Sequence, residues 1–116
     1  MATYTKTLLS GSTNGKGILI AQTATAGDLI HTGVTGTSSF DEVYLYAYNG
    51  HTASVVLTIE WGEATVPNGN IVITIPNKAG RLMVVDGRLI NNGLVIRAFA
   101  ATTNVIVIDG FVNQIT

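Results

Sequence analysis

Residues 41–62, DEVYLYAYNGHTASVVLTIEWG, decide the fold class. Val43, Leu45 and Ala47 alternate with Tyr44, Tyr46 and Tyr48, and Val55, Leu57, Ile59 and Trp61 alternate with Val56, Thr58 and Glu60. A period of two sends successive side chains to opposite faces of a β-strand. Asn49-Gly50 lies between the runs, and both residue types tolerate the positive φ of a type I′ turn. The stretch therefore reads as a β-hairpin with one apolar face and one aromatic face.

Outward from it, the same texture continues. Thr5–Leu9, 17–22 (GILIAQ), 28–34 (DLIHTGV), 70–75 (NIVITI), 82–85 (LMVV), 94–100 (LVIRAFA) and 105–115 (VIVIDGFVNQI) read as strands. Gly, Pro, Asn and Asp clusters punctuate them about every ten residues, as in a sandwich or barrel. Asp86-Gly87 reads as a break, and the last two runs as a second hairpin. No segment shows apolar residues at helical spacing, and β-branched residues dominate. The expected fold is all-β: a two-sheet antiparallel β-sandwich, a jelly roll of about eight strands, with an immunoglobulin-like sandwich as the alternative. Residues 1–17, rich in Thr, Ser and Gly, are expected as a flexible N-terminal arm, and 18–116 as a single domain.

The chain has 116 residues, 47% of them hydrophobic and only 11% charged, with a formal net charge of −1. A typical domain carries roughly 25% charged residues, so much of this surface must be neutral or covered by a partner. Two strand runs are apolar on both faces: Leu94, Ile96 and Ala98 oppose Val95 and Phe99, which flank Arg97, and Ile106, Ile108 and Val112 oppose Val105, Val107, Phe111 and Ile115. A sheet with one solvated face would alternate with polar residues. These features point to a subunit of an oligomer.

Six Lys plus Arg give no basic patch for nucleic acid. No apolar run reaches the roughly 18 residues of a membrane helix, and the N-terminus has no basic n-region followed by an apolar h-region, so Sec export is not expected. With no cysteine there is neither a disulfide framework nor a thiolate metal site. GSTNGKG, residues 11–17, is one residue short of a phosphate-binding loop and lacks the Ser or Thr after Lys16, so it reads as a turn.

Chemistry-bearing residues are few. His51 follows the turn and reads as an exposed turn residue. His31 lies mid-strand near Thr32 and Asp28 and reads as a hydrogen-bonded, partly buried histidine. Glu60 and Glu63 flank Trp61 and read as a solvated strand end, since a glycosidase pair needs a cleft and a fixed separation. No metal-ligand spacing and no GxSxG elbow occurs. An enzyme, a metal and a cofactor are all unexpected. The tyrosine stripe suits either subunit packing or a carbohydrate platform, since Tyr and Trp are enriched in binding patches.

VYLYAYNGHTASVVLTIEWG, followed by IVITIPNKAGRLMVVDGRLINNGLVIRAFAATTNVIVIDGFVNQI, resembles the capsid decoration (cement or head auxiliary) proteins of tailed bacteriophages over residues 40–115. The resemblance rests on the strand end Trp61-Gly62, the apolar strand ending at Pro76 and the finish IRAFAATTNVIVIDGFVN. It implies a non-enzymatic virion structural protein, made in the host cytoplasm, that forms a homotrimer on the capsid exterior at three-fold positions and clamps the major capsid protein. On that reading Val95, Arg97, Phe99, Val107 and Phe111 are candidates for the subunit interface. Tyr44, Tyr46, Tyr48, Trp61, Lys6 and Lys16 are candidates for capsid or ligand contact. The alternative is a carbohydrate-binding module of a phage tail or fibre using the three tyrosines and Trp61.

Overall fold

The computed structural model describes residues 2–116. Nine strands form two antiparallel sheets: β1 (Tyr4–Leu8), β2 (Ile18–Leu19), β3 (Asp28–Thr32), β4 (Phe40–Asn49), β5 (Val55–Trp61), β6 (Asn70–Ile75), β7 (Leu82–Ile90), β8 (Val95–Ala100) and β9 (Ile106–Ile115). One sheet runs β1-β9-β4-β7, with β2 also paired to β9, and the other runs β3-β8-β5-β6. The first and last strands are thus neighbours, and the chain crosses repeatedly between the sheets. This is the double Greek key of a jelly roll, as the strand spacing predicts.

The apolar halves of each alternation meet between the sheets. Val43, Leu45, Ala47, Leu57, Ile59, Ile96, Ala98, Ile106, Ile108 and Val112 are fully buried. Removal of such side chains from water, at roughly 1.5–3 kcal/mol for each larger one, contributes most to holding the sheets face to face.

Connectivity differs from the expectation at both expected hairpins. Residues 41–62 are not a hairpin, because β4 lies in one sheet and β5 in the other. Asn49 is fully buried and does not take the positive φ of a type I′ turn. Its Nδ2 donates to the carbonyls of Ala53 (3.0 Å) and Ile75 (2.9 Å), and its Oδ1 accepts the His51 N–H at 2.8 Å. An Asx turn of this kind redirects the chain across the core. For the same topological reason 94–115 is not a hairpin: β8 pairs with β3 and β5, and β9 with β1, β2 and β4. The one hairpin of consecutive strands among the described residues is β5–β6.

Asp86-Gly87 does not end a strand either. β7 continues through it, with register shifts against β4 and Gly87 at φ 73°, so the glycine serves a bulge.

The N-terminal segment, expected as a flexible arm, contributes an edge strand followed by a loop. Tyr4–Leu8 pairs with Ile115–Phe111 along its whole length, and β2 pairs with the next part of β9 at Ile108 and Val107. β1 and β2 act as one edge strand interrupted by a loop. Leu9, 2% exposed, anchors that loop in the core. Asn14 and Gly15, both at positive φ, turn it back. Met1 lies outside the described residues.

Candidate functional site

The outer face of the five-stranded sheet gathers most of the sequence candidates. Because Val43, Leu45 and Ala47 point inward, Tyr44, Tyr46 and Tyr48 point outward, opposite Phe111, Asp109 and Val107 of β9. Tyr44 and Phe111 stack with ring centroids 4.8 Å apart and planes at 16°, a geometry that adds to area burial. Gly110 makes this possible from beneath, since a Cβ there would collide with the Tyr44 carbonyl oxygen. From the neighbouring strand β1, Lys6 Nζ lies 4.7 Å from the Phe111 centroid. Phe111 is therefore held between a cation on one flank and a tyrosine on the other.

Along the same face Arg81 lies 3.6 Å over the Tyr46 ring while its Nε donates to Asp109 Oδ1 at 2.7 Å. Glu42 Oε1 accepts from the Tyr44 hydroxyl (3.0 Å) and from Asn113 Nδ2 (3.1 Å). Around this ordered centre Tyr4, Leu8, Leu19, Phe40, Tyr48, Met83 and Leu89 are exposed. They are seven of the twelve large apolar residues exposed among the described residues, so exposed apolar surface concentrates on this sheet. The Lys16 loop borders the face: a Cβ on Gly15 would meet Leu8, and one on Gly17 would meet Val107.

The Tyr44 phenol titrates above its ordinary value of 10.0, chiefly because its hydroxyl donates to Glu42 and because burial and the Glu42 charge disfavour a phenolate. The raised folded-state value means that this bond's stabilising contribution is complete below pH 10 and is lost as the pH rises through the folded value. Glu42→Gln is expected to shift the Tyr44 midpoint back down. Near-ultraviolet absorbance of wild type, E42Q and Tyr44→Phe, titrated in parallel, checks it.

The remaining interface candidates lie on the opposite side of the molecule. Val95, Arg97 and Phe99 face outward from β8 in the four-stranded sheet and are half-buried. They do not join Val107 and Phe111, because β8 and β9 belong to different sheets. Trp61 is not on a surface at all: the alternation that buries Val55, Leu57 and Ile59 also buries it, to 7% exposure, with the Arg88 guanidinium 4.9 Å from its ring.

Glu60 is not the solvated residue that its place at a strand end suggests. It is 3% exposed, covered by the segment before β3. Its Oε2 accepts from Thr25 Oγ1 and its Oε1 from the Gly27 N–H, both at 2.8 Å. Arg97 Nη1 donates to the Gly27 carbonyl at 3.3 Å. Glu60, exposed Glu63, Val95 and Arg97 line a cleft of about 190 Å³. Glu60→Gln turns one carboxylate acceptor into a donor facing a donor. We expect a loss of about 1.5 kcal/mol and faster amide exchange at Gly27, measured by hydrogen exchange.

A third cluster is legible in the sequence only in part. His31 is buried and hydrogen-bonded, as expected, but its partner is Asp41 and not Asp28. Asp28 Oδ2 instead accepts the N–H groups of Ala21 (2.7 Å) and Gln22 (2.9 Å). His31 Nδ1 accepts the Ser10 N–H at 3.0 Å, which places the ring proton on Nε2, donating to Asp41 Oδ2 at 2.7 Å. Ser10, His31 and Asp41 thus converge, but not as a hydrolase triad. The imidazole meets the Ser10 backbone, while Ser10 Oγ accepts the Thr32 N–H at 2.7 Å. A general base must reach the nucleophile's proton, and this one does not. The cluster ties β3 of one sheet to β4 of the other.

Among the described residues no three His, Asp or Glu side chains converge as metal ligands. No helix among them is long and apolar enough to cross a membrane. No family model, curated protein or solved structure matches the chain.

Proposed function

We propose that this protein is a non-enzymatic structural subunit of a phage virion, which decorates the capsid exterior as a homotrimer and binds the major capsid protein. The observation that carries the reading is the outer face of the β1-β9-β4-β7 sheet. Stacked Tyr44 and Phe111, flanked by Tyr46, Tyr48, Leu19 and Met83, form an apolar and aromatic surface whose charged groups, Lys6, Glu42, Arg81 and Asp109, are engaged with neighbouring side chains. Protein interfaces favour that composition: aromatic residues, Met and Arg at the centre, charge toward the rim. Lys6 and Lys16 stand beside this surface, suited to acidic groups on a capsid partner. Jelly rolls recur in viral capsid proteins, which agrees with the sequence resemblance by analogy of fold alone.

A glycan platform on the same tyrosines draws less support. Sugar stacking needs free ring faces, and Arg81 covers one face of Tyr46 while Lys6 and Tyr44 flank Phe111.

Sedimentation equilibrium at micromolar concentration tests the assembly, with three times 12.2 kDa, or a multiple of that mass, expected; a monomer at these concentrations overturns the trimer. Binding to expanded capsids without binding to a glycan panel separates decoration from carbohydrate recognition. Glycan binding in the absence of capsid binding overturns the structural reading.

A further inference from the structure

A jelly roll has four edge strands, and three of them here carry the devices that discourage edge-to-edge pairing. The β1/β2 edge has Lys6 at the centre of β1 and is interrupted by the 9–17 loop. β3 begins with Asp28 and has a register shift between Leu29 and His31. β7 carries Asp86 and Arg88 and two register shifts.

β6 has none of these. Asn70–Ile75, NIVITI, contains no charge and no proline, and pairs with β5 in unbroken register from Val55↔Ile75 to Glu60↔Asn70. No described strand pairs with its other side. Alternate N–H and C=O groups of an edge strand point away from the sheet, so β6 offers a straight row of unpaired donors and acceptors. Val72 is 63% exposed, and Ile71 and Ile73 are only partly buried against the core. Facing them across the mouth of the sandwich, Leu82 and Val84 of β7 are also partly buried.

We propose that β6 is a strand-pairing interface for β6 of a second copy of this chain, antiparallel about a two-fold axis near Val72. Self-pairing sets the requirement that β6 alone meets. An isologous contact places each residue opposite itself or its symmetry mate, so a charge near the axis would face its own copy. Lys6, Asp28 and Asp86 bar the other edges from this. An uncharged, β-branched strand is compatible with itself. Pairing also covers Ile71 and Ile73, which the single chain leaves partly open to water. The contact uses a different surface from the aromatic face, so it does not depend on the trimer. Between trimers it would join neighbours across two-fold positions.

The chain has no cysteine, which makes the test direct. In an antiparallel pair, residues opposite each other have Cα atoms about 4.5–5.5 Å apart, within disulfide reach. The single variant Val72→Cys and the double variant Asn70→Cys/Thr74→Cys, whose positions 70 and 74 lie opposite each other across the axis, are oxidised at low micromolar concentration and run on denaturing, non-reducing gels. Val66→Cys, at a loop position 72% exposed, reports random collision. We expect V72C to form the covalent pair at least ten-fold faster than V66C. Val72→Lys should weaken this association at least ten-fold by light scattering, leaving near-native circular dichroism and the sedimentation of any trimer unchanged. Crosslinking at 70, 72 and 74 no faster than at 66 overturns the proposal. So does association that V72K leaves intact.

Discussion

Asp41→Ala is expected to destabilise the fold by about 3 kcal/mol. Asp41 is 1% exposed. Its Oδ2 accepts from His31 Nε2 (2.7 Å) and from the Val34 N–H (3.0 Å), and its Oδ1 from Gln114 Nε2 (3.2 Å). Alanine leaves three donors facing a void that cannot supply acceptors, and a buried unsatisfied donor costs far more than the net worth of its bond. The loss spreads over β3, the β3–β4 loop and β9, and through His31 to the Ser10 segment. It therefore acts on both sheets at once. A domain of this size loses roughly 4 °C of Tm per kcal/mol, so the midpoint should fall by about 12 °C in thermal melts at fixed protein concentration. Asp41→Asn keeps the shape and one acceptor, and should cost about half as much. Equal losses in the two variants would show that packing, and not hydrogen bonding, governs the site.

Phe111→Asp is expected to abolish self-association through the aromatic face while leaving the chain folded. Phe111 sits at the centre of that face, between Tyr44 and Lys6, and only partly buried in the single chain. A carboxylate there removes the stacking ring and places like charge near Glu42 and Asp109, so each neighbouring subunit would bury an unpaired charge. Central aromatic residues dominate interface energetics. A hundred-fold weakening corresponds to about 2.8 kcal/mol and, in the Val72→Lys background where β6 pairing is removed, should appear as monomer in sedimentation at concentrations where V72K alone is associated. Arg97→Ala, on the opposite sheet, should leave the association unchanged. The reverse pattern would move the interface to the β3-β8-β5-β6 face.

Side-chain alternation makes the strands legible. β6 has the bounds its alternation predicts, and Val43, Leu45, Leu57 and Ile59 are the core that residues 41–62 imply. The tyrosine face is legible for the same reason. The ordered partners of that face are not, because Phe111, Asp109 and Arg81 meet Tyr44 and Tyr46, and Lys6 meets Phe111, only through contacts distant in the chain. His31 is recognisable as a buried, bonded histidine, but its partner is not, since Asp41 looks like an ordinary strand-start carboxylate until β3 and β4 are stacked.

By itself the sequence determined a β-sandwich of apolar-striped segments, a charge-poor surface and an outward tyrosine row, because these follow from a period of two and from composition. Tertiary structure decided which strands are neighbours. Period two is identical whether β4 and β5 lie side by side or face each other across the core. The buried amide of Asn49, bonded to Ala53 and Ile75, fixes the second arrangement. Topology also recruited residues 4–8 as an edge strand, buried Glu60, and left β6 as the one edge with no charge among the described strands. These outcomes depend on contacts between residues far apart in the chain, which local pattern does not encode.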